Sequence, residues 1–315
     1  MSISKPLSGA ALHSKAISAG DVTTAIGLSV LFAVSWVLPT SVWPRFCRLV
    51  APLVVPNITA DPRGVASDIR RILGKDAVSG APEAVLETLA AEQVLSILQI
   101  LREYRPGGLK PQIHVEGMEH VKAALERGRG AVLWVGYTYY ADLIAKMAFD
   151  RSDLPIHHLS RPSHGFSWTR FGIRFLNPIK TSREDRYIAE RVMLNLDVPG
   201  EALHRLAQQL AGNAVVSITA RGDARQPVSV KLLNGTWDLA PGAAFLAAQT
   251  GAVLLPVFPY RDADGRLCVR VDRPLHVPSA AANAEIVAKA AEDYAARLEP
   301  FVRENPGQWM GWLHD

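Results

Sequence analysis

Between Gly130 and Asp142 the chain passes through five consecutive apolar residues, Ala131-Val-Leu-Trp-Val135, with no polar position among them. A strand covered on both faces has this pattern, whereas a half-exposed strand alternates. The run therefore predicts a buried, parallel strand. Gly136 ends it, and Leu143-Ile-Ala-Lys-Met-Ala-Phe149 opens a helix. Tyr137 to Asp142 then lie at the turn from strand to helix, the edge of an open α/β sheet where ligands bind. From this stretch alone, a plain strand-to-helix connection accounts for the pattern equally well.

The same patterns continue on both sides. Ser67 to Leu73 predicts a short helix with Ser67 at its N-cap, and Pro82 to Tyr104 a longer one. In the longer helix Val85, Leu86, Leu89, Val94, Ile97, Ile100 and Leu101 approximate one face. Strands are expected at Ile113 to Val115, Pro155 to Leu159, Ala214 to Thr219 and Ala252 to Phe258, with Leu267 to Val271 pairing at an edge. Helices are expected at Met118 to Arg127, Glu201 to Ala211, Leu239 to Thr250 and Ala281 to Val302. Strands alternating with helices predict an α/β fold: a mixed, largely parallel sheet covered by helices on both faces.

The N-terminal part reads differently. Val22 to Pro44 contains no charged residue, and a span needs about 20 apolar residues. Several Ser and Thr residues and Pro39 interrupt the stretch, and no A-x-A-like cleavage site follows it. The expectation is a hydrophobic interfacial helix, with Trp36 and Trp43 at head-group depth and Arg45 and Arg48 on anionic lipid. A buried core helix is the alternative. Ala51-Pro-Leu-Val-Val-Pro56 reads as a breaker-rich linker.

Composition sharpens this picture in two respects. A hydrophobic content of 49% with 20% charged residues points to a large core plus membrane-facing surface. The formal charge of +4 and a pI near 9.1 suit anionic partners such as phospholipid head groups or an acidic carrier protein. No basic run or zinc-knuckle spacing points to nucleic acid, and no G-x-G-x-x-G or Walker loop points to a nucleotide. Cys47 and Cys268, far apart, make neither a disulfide framework nor a metal cluster.

Five blocks then resemble one family in order. They are Val115 to Gly130, Arg161-Pro162, the Leu-Leu-Asn-Gly turn within Val228 to Arg261, Leu254-Leu-Pro-Val-Phe-Pro-Tyr-Arg261, and the closing Asn305-Pro-Gly-Gln-Trp-Met-Gly-Trp-Leu-His314. Together they are similar to the lysophospholipid acyltransferase-like family of lipid A biosynthesis, the late lauroyl/myristoyl acyltransferases. The resemblance implies a glycerolipid acyltransferase-like fold. It also implies transfer of a fatty acyl chain from an acyl-carrier-protein or CoA thioester to a hydroxyl or amine of a lipid-like acceptor, at the cytoplasmic face of the bacterial inner membrane. No cofactor or metal is implied beyond acyl-ACP or acyl-CoA as co-substrate. On this reading residues 1–20 are a flexible N-terminus, 21–56 a membrane-associating helix and linker, and 57–315 the acyltransferase-like α/β domain.

The family's active site is a His followed, after four intervening residues, by an acid. Here the spacing holds, but the positions carry Tyr137 and Asp142. A phenol, with a reference pKa near 10, is a poor general base at neutral pH. Three readings remain. The base is another residue, with His157, His158 or His164 able to reach Asp142. Alternatively, Asp142 itself is the base or the acceptor is an amine. In the third, catalysis is lost and the site binds acyl chains, lipid or acyl carrier protein without turnover. Asp142, Tyr137 and His164 are the catalytic candidates; Arg161, Arg221 and Asp223 are the substrate-binding ones. Arg161 suits phosphate oxygens, although a surface ion pair explains it as well. Ala220-Arg221-Gly222 departs from the family's Pro-Asp-Gln. Trp309, Trp312 and His314 read as packing residues, and Lys180, Arg183 and Arg186 as a solvated, mixed-charge segment.

Overall fold

The computed structural model describes residues 15–74, 81–195, 198–222, 224–279 and 283–313. Four helices come first: α1 (Ala19–Val37), α2 (Trp43–Ile58), α3 (Pro62–Leu73) and α4 (Pro82–Arg102). The alternating part follows, with β1 (Ile113–Glu116), α5 (Met118–Glu126), β2 (Ala131–Val135), α6 (Ile144–Asp150) and β3 (Ile156–Ser160). A single π turn, Gly172–Leu176, leads into α7 (Asn177–Glu184), then β4 (Glu190–Met193), α8 (Pro199–Ala211) and β5 (Val215–Thr219). The chain closes through β6 (Val228–Leu232), β7 (Gly235–Leu239), α9 (Gly242–Thr250), β8 (Val253–Arg261), β9 (Leu267–Val271) and α10 (Ala284–Glu304).

The main sheet has seven strands in the order β1-β9-β8-β2-β5-β3-β4. Only the β8–β9 pairing is antiparallel. The expectation of a mixed, largely parallel sheet covered by helices is therefore correct. β2 sits at the centre, and its uninterrupted apolar run has a simple cause. Val132 and Trp134 pack into the core on one face, with α8, α9 and α10. Ala131, Leu133 and Val135 pack into the core on the other, with α2, α4 and α6. The carboxyl ends of β2, β3 and β5 lie side by side, in register from Val135 to Thr219 and from His158 to Ser217. β6 and β7 form a separate hairpin across the Leu-Leu-Asn-Gly turn.

Several expectations are corrected. Leu267 to Val271 is not an edge strand, because β9 is paired on both sides, by β1 and β8. The N-cap of α3 is Asp61, whose carboxylate accepts the Gly64 N–H at 2.9 Å, and the helix starts five residues before Ser67. Leu239 ends a strand and does not begin a helix. Ala51 to Pro56 is no linker: α2 runs through Pro52 and Pro56 to Ile58. One face of α2, through Trp43, Cys47 and Ala51, is buried against α4. Trp43 is thus a core residue, 2% exposed, and not an interfacial one. Its indole donates to the Leu38 carbonyl, and the Arg102 guanidinium lies over its ring. Of the expected flexible N-terminus, residues 1–14 lie outside the described residues, and Ala19 and Gly20 already belong to α1.

α1 is the expected hydrophobic helix. It is long and apolar enough to cross a membrane, and it is mostly uncovered. Val22, Ile26, Val30, Trp36 and Val37 are exposed along it, and Leu49 and Leu53 on α2. α4 has the same mean hydropathy but is largely buried, so it is a core helix.

Candidate functional site

The carboxyl ends of β2, β3 and β5 open into a cavity of about 990 Å³. Its polar lining includes Tyr137, Asp142, His158, Arg161, His164, Lys180 and Arg221. Its apolar walls come from Leu159, Leu194, Leu203, Ile218, Phe245 and Val287. A cavity that combines a charged cluster with apolar walls suits a ligand with a reactive head and an alkyl tail.

Each polar side chain is fixed by the element that carries it. The turn after β2 is pinned by Thr138, whose hydroxyl donates to the Pro259 carbonyl at 2.8 Å. The Tyr137 carbonyl accepts the Met310 N–H at 2.8 Å, and Thr138 forms a bridge with Trp309. Two residues beyond Thr138, the Tyr140 hydroxyl donates to Glu92, which also holds Arg261. The C-terminal segment therefore does more than pack onto the core through Trp309 and Trp312. It also splints the turn that carries Tyr137 and Asp142, and Met310 and Leu313 line the cavity.

α7 supplies what the sequence reading missed. Asn177, Lys180 and Glu184 are spaced by three and four residues, so they share one face of the helix. Lys180 Nζ donates to Asp142 Oδ2 at 2.5 Å. Glu184 is fully buried and accepts from His164 Nε2 at 3.0 Å, Lys146 Nζ at 2.6 Å and an Arg191 terminal nitrogen at 2.9 Å. His164 Nε2 is 3.7 Å from Asp142 Oδ1, too far for a hydrogen bond. The carboxylate that orients His164 is therefore Glu184, not Asp142. The expectation of a solvated charged segment fails at Lys180 and Glu184. It holds for Arg186, half-exposed on Glu103.

The remaining candidates separate cleanly. His157 points away, to Glu190 at 3.0 Å. His158 is buried and lines the cavity, with Nδ1 3.3 Å from the Ser217 hydroxyl. Burial, together with the charges of Lys146, His164 and Arg191, holds it well below the usual histidine range, so it is neutral. The Arg221 guanidinium lies over the Tyr137 ring, 4.7 Å from its centroid, and Arg161 lines the cavity. Asp223 and His314 lie outside the described residues.

The electrostatics follow from the packing. Burial raises the Glu184 carboxyl, but His164, Lys146 and Lys180 outweigh it, and the group lies well below the carboxylate range. Asp142 is likewise raised by burial and brought down, net, by Lys180 and His164. Burial lowers Lys180, but Asp142 and Glu184 more than restore it. Lys146 stays lowered, because burial outweighs its carboxylate partners. An ionised carboxylate can only accept. Glu184 therefore fixes His164 in the tautomer with Nε2 protonated, which leaves the lone pair on Nδ1.

Asp142, His164 and Glu184 also bring one donor atom each within 4.8 Å of one another, a spacing that a divalent ion can use. Their negative charge is already met by Lys146, Lys180 and Arg191. A dication would sit among three fixed cations, so the donor set does not fit one.

No curated protein matches the chain. The family model described as bacterial lipid A biosynthesis acyltransferase matches residues 178–315. The matched part runs from α7, with Lys180 and Glu184, through β5 and the cavity wall to the C-terminal segment that splints the turn. Over that part the chain is similar to the bacterial lipid A biosynthesis acyltransferases, in agreement with the sequence blocks found in their expected order.

Proposed function

We propose that the protein moves a fatty acyl chain from an acyl-carrier-protein or CoA thioester to a hydroxyl or amine of a lipid-like acceptor, at the cytoplasmic face of the inner membrane, and that His164 is its general base. The observation that carries this reading is the His164–Glu184 pair, with His164 lining a large cavity that also has apolar walls. A histidine oriented by a buried carboxylate is the chemistry that the Tyr137 position lacks. His164 Nδ1 takes the proton of the acceptor hydroxyl, and the oxygen attacks the thioester carbonyl. The C–O bond forms first, giving a tetrahedral intermediate; on its collapse the C–S bond breaks, and the departing sulfur takes the proton back from His164. Glu184 stabilises the imidazolium in between. Tyr137 and Lys180 supply donors for the oxyanion of the tetrahedral intermediate. Arg161 and Arg221 hold phosphate oxygens of donor or acceptor. The exposed apolar face of α1, with Arg45 and Arg48 on α2, seats the protein on anionic lipid.

Purified protein supplied with acyl-CoA or acyl-ACP and lipid acceptors is expected to release free thiol. His164→Ala is expected to lower the rate by at least about a hundredfold, the scale of a general base. Undiminished release from His164→Ala would exclude it as the base. A second reading rests on the Tyr137 side chain and on Asp142 being engaged by Lys180: a member of the family that binds acyl chains, lipid or acyl carrier protein without turnover. Tyr137→His separates the two. It creates thiol release in a binder, whereas in a His164-driven enzyme it removes an oxyanion donor and lowers the rate already present.

A further inference from the structure

α1 is apolar and uncovered along most of its length, yet its first turn carries a buried acid. Asp21 is 1% exposed. A buried carboxylate costs desolvation unless donors surround it, and Asp21 has four. Two belong to its own helix end, the Ser18 N–H at 2.7 Å and the Ser18 hydroxyl at 3.0 Å, and the Asp21 N–H donating to the Ser18 hydroxyl oxygen completes a capping box. The other two come from about 146 residues away. Ser167 donates through its hydroxyl to Oδ1, and Thr169 through its hydroxyl to Oδ2 at 2.8 Å. A helix cap needs only the first pair.

Ser167 and Thr169 belong to the loop between β3 and the π turn, which also carries Arg161 and His164. The same junction is made twice more. The N–H groups of Arg170 and Phe171 donate to the carbonyls of Lys15 and Ala16. Leu28 of α1 packs with Leu176, and Phe166 and Phe171 pack against that pair. On its other side the loop is held by Asn177, which accepts the Phe166 and Ser167 N–H groups at 2.7 and 3.0 Å. The loop with His164 is thus stretched between α7, which carries Lys180 and Glu184, and the N-terminal end of α1.

We propose that Asp21 is a positioning residue that ties the His164 loop to α1, so that seating α1 on a lipid surface stiffens the catalytic wall of the cavity. The inference rests on reading α1 as lipid-facing. Two further exposed apolar side chains flank this junction: Ile17 just before α1, and Phe175 in the π turn, whose ring lies 5.1 Å from that of Phe171.

The test is hydrogen exchange on the full chain, which needs no acyl transfer to read. In solution, Thr169→Val leaves the Ser18–Asp21 cap untouched and is expected to speed exchange of the 161–176 segment by about tenfold, the scale of one charged hydrogen bond. Asp21→Asn is expected to do the same, whereas Ser18→Ala, which weakens only the cap, leaves the segment within about twofold of the parent. Adding vesicles of phosphatidylethanolamine and phosphatidylglycerol slows exchange of that segment in the parent. In Thr169→Val the same fraction of protein binds the vesicles, but the slowing is lost. Equal slowing in parent and Thr169→Val, or no slowing in vesicle-bound parent, overturns the coupling. A parent that does not bind vesicles removes the lipid-facing reading and the coupling with it. Thiol release is measured separately: if vesicles slow exchange but no thiol appears, the coupling stands and the reading of His164 as the base falls.

Discussion

Two buried glutamates flank the turn after β2, and they do different work. Glu92, on α4, accepts from Tyr140 within that turn and from Arg261 at the end of β8. None of the three lines the cavity. Burial and the neighbouring carboxylate push the Tyr140 hydroxyl far above its usual range, so it remains a donor and the group does not change state near neutral pH. Glu184 is just as buried, but its partners include His164, which lines the cavity. Burial of a carboxylate therefore says nothing by itself about catalysis. The distinction lies in whether a partner that can exchange a proton also meets the ligand.

The largest expected effect breaks the sealed cluster. Glu92→Ala leaves the Arg261 charge without its carboxylate, and is expected to lower the unfolding free energy by about 3–5 kcal/mol in urea titration. The folded fraction should keep its turnover within about tenfold. Glu184→Gln is expected to act the other way round, lowering kcat by about a hundredfold while KM for the acyl donor changes little. If both variants lose stability and neither loses kcat when folded, the two clusters are equivalent and His164 is not a base. Acid gives a third comparison. The Glu184 carboxyl is depressed in the folded state from a reference of 4.5. Its ionisation therefore contributes stability that is fully present above about pH 4.5 and is lost as pH falls through the depressed folded value. The stability gap between parent and Glu184→Gln should accordingly shrink below about pH 4.5. The smallest effect tests redundancy. Glu184 keeps His164 and Lys146 when Arg191 is removed, so Arg191→Met is expected to cost about 1–2 kcal/mol. Arg261→Met, which leaves Glu92 with Tyr140 alone among the partners described above, should cost more in the same measurement.

Much of this was legible in the residues. The unbroken run Ala131 to Val135 located the central strand, because only a strand covered on both faces tolerates it. The His-x4-acid spacing located the turn and Asp142, and the strand before Arg161 and His164 put both at the same rim. Two kinds of feature were hidden. Pro52 and Pro56 read as breakers, yet α2 continues through them, packed on α4 by a face that local propensity does not register. The charge cluster was hidden because Lys180 and Glu184, in sequence, look like any solvated helix face. One signal was present: Lys146 is a lone charge in Leu143 to Phe149, and a lysine inside an apolar helix requires a buried acid elsewhere. The spacing of Asn177, Lys180 and Glu184 was the other half of that clue.

The splint across the turn has a consequence for biosynthesis. Trp309 bridges Thr138, Met310 closes on Tyr137, and Gln308 donates to the Arg261 carbonyl at 2.7 Å while accepting the Arg261 N–H. These residues leave the ribosome after every other part of the sheet. The earlier elements can collapse around β2 during translation, but the rim takes its final shape only when Gln308 to Met310 swing back across roughly 170 residues of sequence. Such a long-range closure is slow to form, so the rim that carries Tyr137 and Asp142 is set later than the sheet on which it stands.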